Sequence, residues 1–216
     1  DFCLSRGLGD VYKRQEHDRG GDALAMNGAL QASYEDVMHR LGDRFDPVPT
    51  VPKTTFTNPY LAAVGISGFI DPYALETVLN GEQLWFERPF NLGHEWGHLG
   101  GFADESEANF IGAVIALHTH DPAMRYSGWV ELYAHLPAKT ALSLKLSKPV
   151  EDDLIAMRDR ILKHLYRPAF HFQWKMYDTY LKSNHVAAGV ESYNQLIQLV
   201  LGTRFDPDGL PSPRRP

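Results

Sequence analysis

The spacing of apolar residues predicts a chain that is mostly helical. Asp22 to Leu41 carries apolar side chains at helical intervals, and Gly42 with the Asp46-Pro47 step is expected to end this amphipathic helix. The stretch from Pro47 to Glu87 is rich in proline, threonine and glycine, and its apolar segment AVGISGFI predicts extended chain and short strands.

Five further helices are predicted after this stretch. One begins at Pro89 or Asn91 and ends at Gly100-Gly101, where glycine can adopt the left-handed conformation of a helix end. The next begins near Asp104, and because ANFIGAVIALH is apolar nearly all round, it should be buried at the centre of the domain. The remaining three run from Asp121-Pro122 to about Leu136, from Glu151 to about Lys182 with a bend at Pro168, and from Gly189 to Leu201.

These elements predict an α+β fold, mostly helical, with a small sheet ahead of the helix that begins near Pro89. We expect one domain over residues 16–204 and a disordered tail over 205–216. The segment CLSRGLGDVYKRQ is similar to translated sequencing-adapter DNA, so residues 1–15 are expected to be a non-native leader.

Charge and cysteine content narrow the possible functions. The chain has 216 residues, a formal net charge of −6 and one cysteine, Cys3. No basic stripe is present that would neutralise phosphates, which argues against nucleic-acid binding. A disulfide within the chain and a thiolate metal cage are excluded. No apolar run approaches the roughly 20 residues of a membrane span, so the chain as written is expected to be soluble.

The strongest motif is HExxH, formed by His94, Glu95 and His98. On a helix the two histidines are one turn apart, so both imidazoles leave the same face and can bind one metal ion, with the glutamate beside its water. Apolar neighbours surround the motif, and Gly97 lies within it. A glycine inside a helix costs roughly 1 kcal/mol relative to alanine, which suggests that something approaches the helix closely there.

A catalytic zinc ion commonly takes three protein ligands, and the third must come from Asp104, Glu105 or Glu107. Asp104 suits the N-cap of the next helix, and Glu107 would complete a capping box. Glu105 lacks such an explanation and is the preferred ligand, with Asn109 one turn on to orient its carboxylate. Asp104 stays as the alternative, because other zinc proteases use HExxHxxGxxD.

This ligand set predicts a Zn²⁺ site in which Glu95 is the general base for peptide hydrolysis. An oxyanion donor would also be needed, and Tyr126, Tyr180 and His185 are the candidates, each with a simpler role in packing or at the surface. The other histidines, such as His118, His120 and His171, have no ligand spacing tied to the motif.

Beyond the motif, the chain resembles a bacterial family of uncharacterised zincin-like metallopeptidases whose members carry membrane helices ahead of the catalytic domain. The resemblance covers about Pro52 to Leu201. It rests on the segments GISGFIDPYALETVLN, PFNLGHEWGHLGGFADESEANF, RYSG and YDTYLKSNHVAAGVESYNQLIQLVL. Trp96 and Gly97 replace the leucine and alanine more usual in the family, which leaves the ligand positions intact.

The resemblance implies a zincin-like fold, with His94 and His98 as zinc ligands and Glu95 as the catalytic residue. It also supports Glu105, because related zincins take the third ligand from the first glutamate of an ExEA(N/D) stretch. It implies a membrane anchor ahead of this fragment, in a bacterial envelope, although it supplies no substrate.

Zincins commonly bind an extended peptide against a strand beside the active-site helix. The segment placed to do this consists of Gly65, Ile66, Ser67, Gly68, Phe69 and Ile70. The same segment could instead be an internal strand of the small sheet. The leading functional hypothesis is a zinc-dependent endopeptidase acting on a peptide or protein. A metal-stabilised binding or regulatory module with little turnover is the alternative, and hydrolysis of a non-peptide amide is a third.

Overall fold

The computed structural model describes residues 23–42, 49–71, 73–183 and 195–212, so the expected leader over residues 1–15 lies outside it. The described part is mostly helical with one small sheet, as the sequence predicts. The helices are α1 (Ala23–Leu41), α2 (Asn58–Val64), α3 (Arg88–Leu99), α4 (Glu105–His118), α5 (Pro122–Ala134), α6 (Ala138–Ala141), α7 (Lys148–His164), α8 (Arg167–Ser183) and α9 (Leu196–Gly202). The strands are β1 (Gly68–Asp71) and β2 (Glu76–Leu79).

The two strands form an antiparallel pair in which Gly68 lies opposite Leu79. On the far side of β2, Lys53 makes a parallel bridge to Val78. Within the described residues, β1 therefore has one edge without a partner strand.

The strand expected over residues 65–70 is shorter at its start. Gly65 has φ 72° and caps α2, since only a residue tolerant of the left-handed region can end the helix in this way. The backbone N–H of Ile66 still donates to the carbonyl of Leu61. The apolar run AVGISGFI thus divides between a helix end and a strand, and β1 begins only at Gly68.

Helix α4 lies at the centre of the domain and ten of its fourteen residues are buried, as its apolar sequence predicts. It packs most extensively on α3, with α1 and α5 on other sides. Glycines permit the close approach of α3 and α4. A Cβ added at Gly97 would lie 3.3 Å from Ala108 Cα, and one added at Gly112 would lie 2.8 Å from the backbone nitrogen of His94.

The long helix expected from Glu151 to about Lys182 is two helices, α7 and α8. The break comes at Leu165 and Tyr166, ahead of the bend expected at Pro168. The backbone N–H of Tyr166 donates to Ala63 at the end of α2, 2.8 Å away, instead of continuing α7. Pro168 then falls in the first turn of α8, where a helix needs no backbone donor from it.

Residues 205–212 correct the prediction of a disordered tail, at least as far as Ser212. Phe205 bridges Pro211, and Leu210 is buried in the same core cluster as α1 and α4. A salt bridge of 2.5 Å joins Arg40 of α1 to Asp206. Arg40 and Asp206 are far apart in the sequence, so no local pattern predicts this contact. In the part of the chain that the structure describes, no helix is both long and apolar enough to cross a membrane.

Candidate metal centre

Helix α3 carries both histidines of the HExxH motif on one face. Pro89 lies in its first turn, where the fixed φ of proline suits a helix start, and Gly101 with φ 91° follows its end. The rings of His94 and His98 lie with centroids 4.7 Å apart, at an interplanar angle of 88°. The Nδ1 of His98 lies 2.8 Å from the carbonyl of Phe102, and donation to that oxygen leaves Nε2 free to bind a metal.

The three acids after the glycine turn have different positions. The Asp104 carboxylate caps α4 and accepts from the backbone N–H groups of Ser106 and Glu107. Asp104 thus has the capping role that the sequence predicts for it, and among the described residues the donor atoms that cluster are those of His94, His98 and Glu105. Glu107 is exposed. Glu105 is buried, 4% exposed, and its carboxylate points back to the two histidines of α3.

The donor atoms have the spacing of a metal site. Glu105 Oε2 lies 3.4 Å from Nε2 of His94 and 3.5 Å from Nε2 of His98. These distances exceed the roughly 2.7 to 3.2 Å of N–H···O hydrogen bonds. Two ligands about 2.1 Å from a tetrahedral zinc ion lie about 3.4 Å apart, since the edge of a tetrahedron is about 1.63 times the metal–ligand distance. Oε2 also has no hydrogen-bond partner among the described residues. The donor set therefore fits zinc.

The charges of the three groups are strongly coupled. Burial alone would raise the pKa of Glu105, but the two facing imidazoles hold that pKa well below its ordinary range. Burial alone would lower the pKa of His98, but Glu105, together with Glu95, raises it to about 9. A divalent cation bound by these side chains would likewise place positive charge beside the Glu105 carboxylate.

Glu95 is buried next to this cluster. Burial, and to a smaller extent the charge of Glu105, raises the pKa of Glu95, while the histidines lower it. A Cβ added at Gly68 of β1 would lie 2.9 Å from Glu95 Oε1, so the absence of a side chain at Gly68 allows β1 to pass directly beside this carboxyl. A raised pKa makes this carboxylate a stronger proton acceptor than an exposed glutamate.

Tyr177 of α8 contacts the centre, although the sequence analysis did not single it out. Its hydroxyl donates to Glu105 Oε1, which leaves Oε2 facing the histidines. The sequence predicts this orienting role for Asn109. The Asn109 side chain is buried but makes no hydrogen bond to the Glu105 carboxylate, and its Nδ2 has no partner among the described residues. Tyr177 stands 72 residues from Glu105, so no spacing rule connects the two.

The three oxyanion candidates gain no support. Tyr126 is fully buried and its hydroxyl donates to Asp153, away from the histidines. The side chain of Tyr180 and all of His185 lie outside the described residues. Among the other histidines, His118 lies 3.3 Å from Asp36 at the surface of α1 and α4.

The donor atoms open into a cleft of about 710 Å³. Residues 64–70, including β1, form one wall, and α5, α7 and α8 supply Glu131, Arg160 and Tyr177. A cleft of this size lies in the range of known ligand sites.

A family model described as a protein of unknown function (DUF3810) matches residues 10–201 of the chain. No curated protein matches the chain, and no solved structure matches it. These comparisons do not identify the chemistry of the centre.

Proposed function

For this chain, which belongs to the DUF3810 family of proteins of unknown function, we propose zinc-dependent peptide-bond hydrolysis on a zincin-like domain. One observation carries the proposal. Glu105 Oε2 has no hydrogen-bond partner among the described residues and lies at ligand spacing from both histidines. His94, His98 and Glu105 would hold the ion, which leaves a fourth position open, as catalytic zinc sites do.

Zinc in this position supplies Lewis-acid polarisation of a carbonyl and lowers the pKa of water. The protein supplies the rest. Glu95 takes the proton of the attacking water and returns it to the leaving amine, a role that its buried position and raised pKa support. Tyr177 fixes the Glu105 carboxylate from the opposite wall of the cleft, and the carbonyl of Phe102 fixes the ring of His98.

The unpaired edge of β1 is the proposed binding site for an extended peptide. Backbone hydrogen bonds to such an edge hold a substrate irrespective of its sequence. Gly68 lies next to Glu95, so a peptide bound along β1 would pass close to the base. This arrangement favours an endopeptidase that takes an extended chain over an enzyme for small amides.

The test is metal analysis together with digestion of a peptide library by the wild type and by Glu95→Gln. We expect one zinc per chain in both proteins and cleavage only in the wild type, because glutamine keeps the shape but cannot accept the proton. Glu107→Gln is the matched control, since Glu107 is exposed on the first turn of the next helix. Full activity of Glu95→Gln would refute the role of Glu95. Stoichiometric zinc with no cleavage of any peptide would refute hydrolysis and favour a metal-stabilised binding module.

A further inference from the structure

The cleft continues past the candidate metal centre towards α5 and α7. The ring of Phe90 lies 6.4 Å from the ring of His94 and 6.4 Å from the ring of His135, so it joins the two parts. Glu131 lies one turn before His135 on α5, and Arg160 of α7 lines the same end of the cleft. Both ends thus belong to one cleft, and the ring of Phe90 lies between them.

The charges at this end do not balance. Arg160 donates to Glu87 Oε1 at 2.6 Å, and both side chains are largely buried. The second oxygen of Glu87 accepts the backbone N–H of Leu84 at 2.7 Å. The Arg160 guanidinium is thus bound to Glu87, and it makes no ion pair with Glu131, the second carboxyl group at this end of the cleft.

Glu131 is left without a cation. Among the described residues its carboxylate has no hydrogen-bond donor, and the nearest basic atom is His135 Nδ1 at 3.9 Å. That nitrogen already lies 2.9 Å from the backbone carbonyl of Glu131. Burial lowers the pKa of His135, which disfavours the charged form of its imidazole. Only 13% of the Glu131 side chain is exposed.

Apolar side chains line the approach to this carboxyl. Phe90, Met157 and Ile161 all border the cleft at this end. An aliphatic stem that ends in a positive charge matches such a surface, since its methylenes contact apolar atoms and only its tip is polar.

We propose that Glu131 is a specificity-determining residue that binds a positively charged group of the substrate. The group is an ammonium or guanidinium, from a lysine or arginine side chain or from the amino terminus of a peptide. The inference rests on the proposed peptidase function for its substrate class, and on the geometry of the cleft for the charge.

The ionisation of Glu131 agrees with this assignment. Burial, and then the charge of Glu87, raise the pKa of Glu131 to about 8, while Arg160 lowers it only in part. A buried carboxyl behaves in this way when the nearby positive charge only partly offsets the cost of burial. A substrate cation beside it would provide the missing charge, with hydrogen bonds that are stronger than those between neutral groups.

The test measures binding to zinc-loaded Glu95→Gln protein, in which a peptide is held without being cleaved. Three six-residue peptides are compared by isothermal titration calorimetry. The first peptide has a central lysine and is capped at both termini. The second is identical but has norleucine, which keeps the stem and lacks the ammonium. The third is the norleucine peptide with a free amino terminus.

We expect the lysine peptide or the free-amine peptide to bind about tenfold more tightly than the capped norleucine peptide, from one charged hydrogen bond. Which of the two binds tightly identifies the source of the cation. Adding Glu131→Gln should reduce the preference to below about twofold. Adding Glu151→Gln, at an exposed position on α7, should leave it unchanged.

Equal binding of the three peptides, a preference that survives Glu131→Gln, or no binding at all would overturn the assignment. The comparison of peptides on the Glu95→Gln protein decides the question even if Glu131→Gln does not fold. Cleavage by the wild type without any charge preference would overturn this inference and leave the peptidase proposal intact. Charge-selective binding that depends on Glu131, with no cleavage by the wild type, would support it and overturn the peptidase.

Discussion

The close packing of α3 on α4 fixes the distance between the histidines and Glu105, and Gly112→Ala tests this dependence. An added methyl group at residue 112 would lie 2.8 Å from the nitrogen of His94 and 3.0 Å from the carbonyl oxygen of Phe90. Both atoms belong to the backbone of α3, so no side-chain rotation can relieve the contact. Because ordinary contacts begin near about 3.5 Å, the two helices must separate by roughly 0.5 Å.

We expect the free energy of unfolding to fall by about 1 to 3 kcal/mol in Gly112→Ala, the usual range for overpacking a core. The measurement is urea unfolding followed by circular dichroism, with a chelator present so that metal binding does not contribute. Zinc affinity, measured by competition with a chromophoric chelator, should fall as well, because His94 and Glu105 lie on the two helices that separate.

Gly28→Ala is the matched control. Gly28 lies exposed on α1, and a methyl group there meets no atom within 4 Å. The same change in helix propensity should therefore raise the free energy of unfolding by about 0.5 to 1 kcal/mol and leave zinc affinity unaltered. If Gly112→Ala proved as stable as the wild type and bound zinc equally well, the account of the α3–α4 contact would be refuted.

Three further predictions concern the cleft. Tyr177→Phe removes the hydroxyl that holds Glu105 and should weaken zinc binding about 10- to 100-fold, as measured by chelator competition; unchanged affinity would contradict this. Zinc at 1,000 times its Kd should stabilise the wild type by about 4 kcal/mol in urea unfolding, and no such gain should appear in His98→Ala. The folded-state pKa of Glu131, about 8, lies above its ordinary value of 4.5, so its stabilising contribution is present below pH 4.5 and is lost as pH rises through 8. Relative to Glu131→Gln, the wild type should lose stability over that range, and parallel pH curves for the two proteins would contradict the shift.

The sequence predicts those parts of the candidate site that depend only on the geometry of one helix or of one helix end. His94 and His98 lie on one face because they are one turn apart, and Asp104 caps α4 because its side chain reaches the next free N–H groups. Once Asp104 is occupied as a cap, the first glutamate of the new helix faces back towards α3. Short-range rules were therefore enough to bring His94, His98 and Glu105 together.

The parts that were missed depend on contacts between distant segments. Tyr166 leaves the helical pattern of its own segment because its N–H bonds to Ala63 of α2. Asp206 is held by Arg40, so part of the expected tail joins the core. Tyr177 and Glu131 come to the cleft only through the packing of α8 and α5. None of these partners is close in sequence, and no periodicity in the chain predicts them.

The sequence correctly predicts a close contact at Gly97, but it does not identify the helix that makes this contact. A glycine inside a helix lowers its stability, so Gly97 predicts that another group approaches α3 closely. That group is the backbone of α4 at Ala108. The candidate metal ligands lie on the adjoining face. Since His94 and His98 lie on one helix and Glu105 lies on the other, the glycines that allow this contact also set the ligand distances. The α3–α4 pair thus sets the distances between the candidate metal ligands, and Tyr177 of α8 orients one of them, whereas α5 and α7 contribute walls of the cleft that carry none of these donor atoms. This separation explains why the sequence predicts a metal centre more readily than it predicts a substrate.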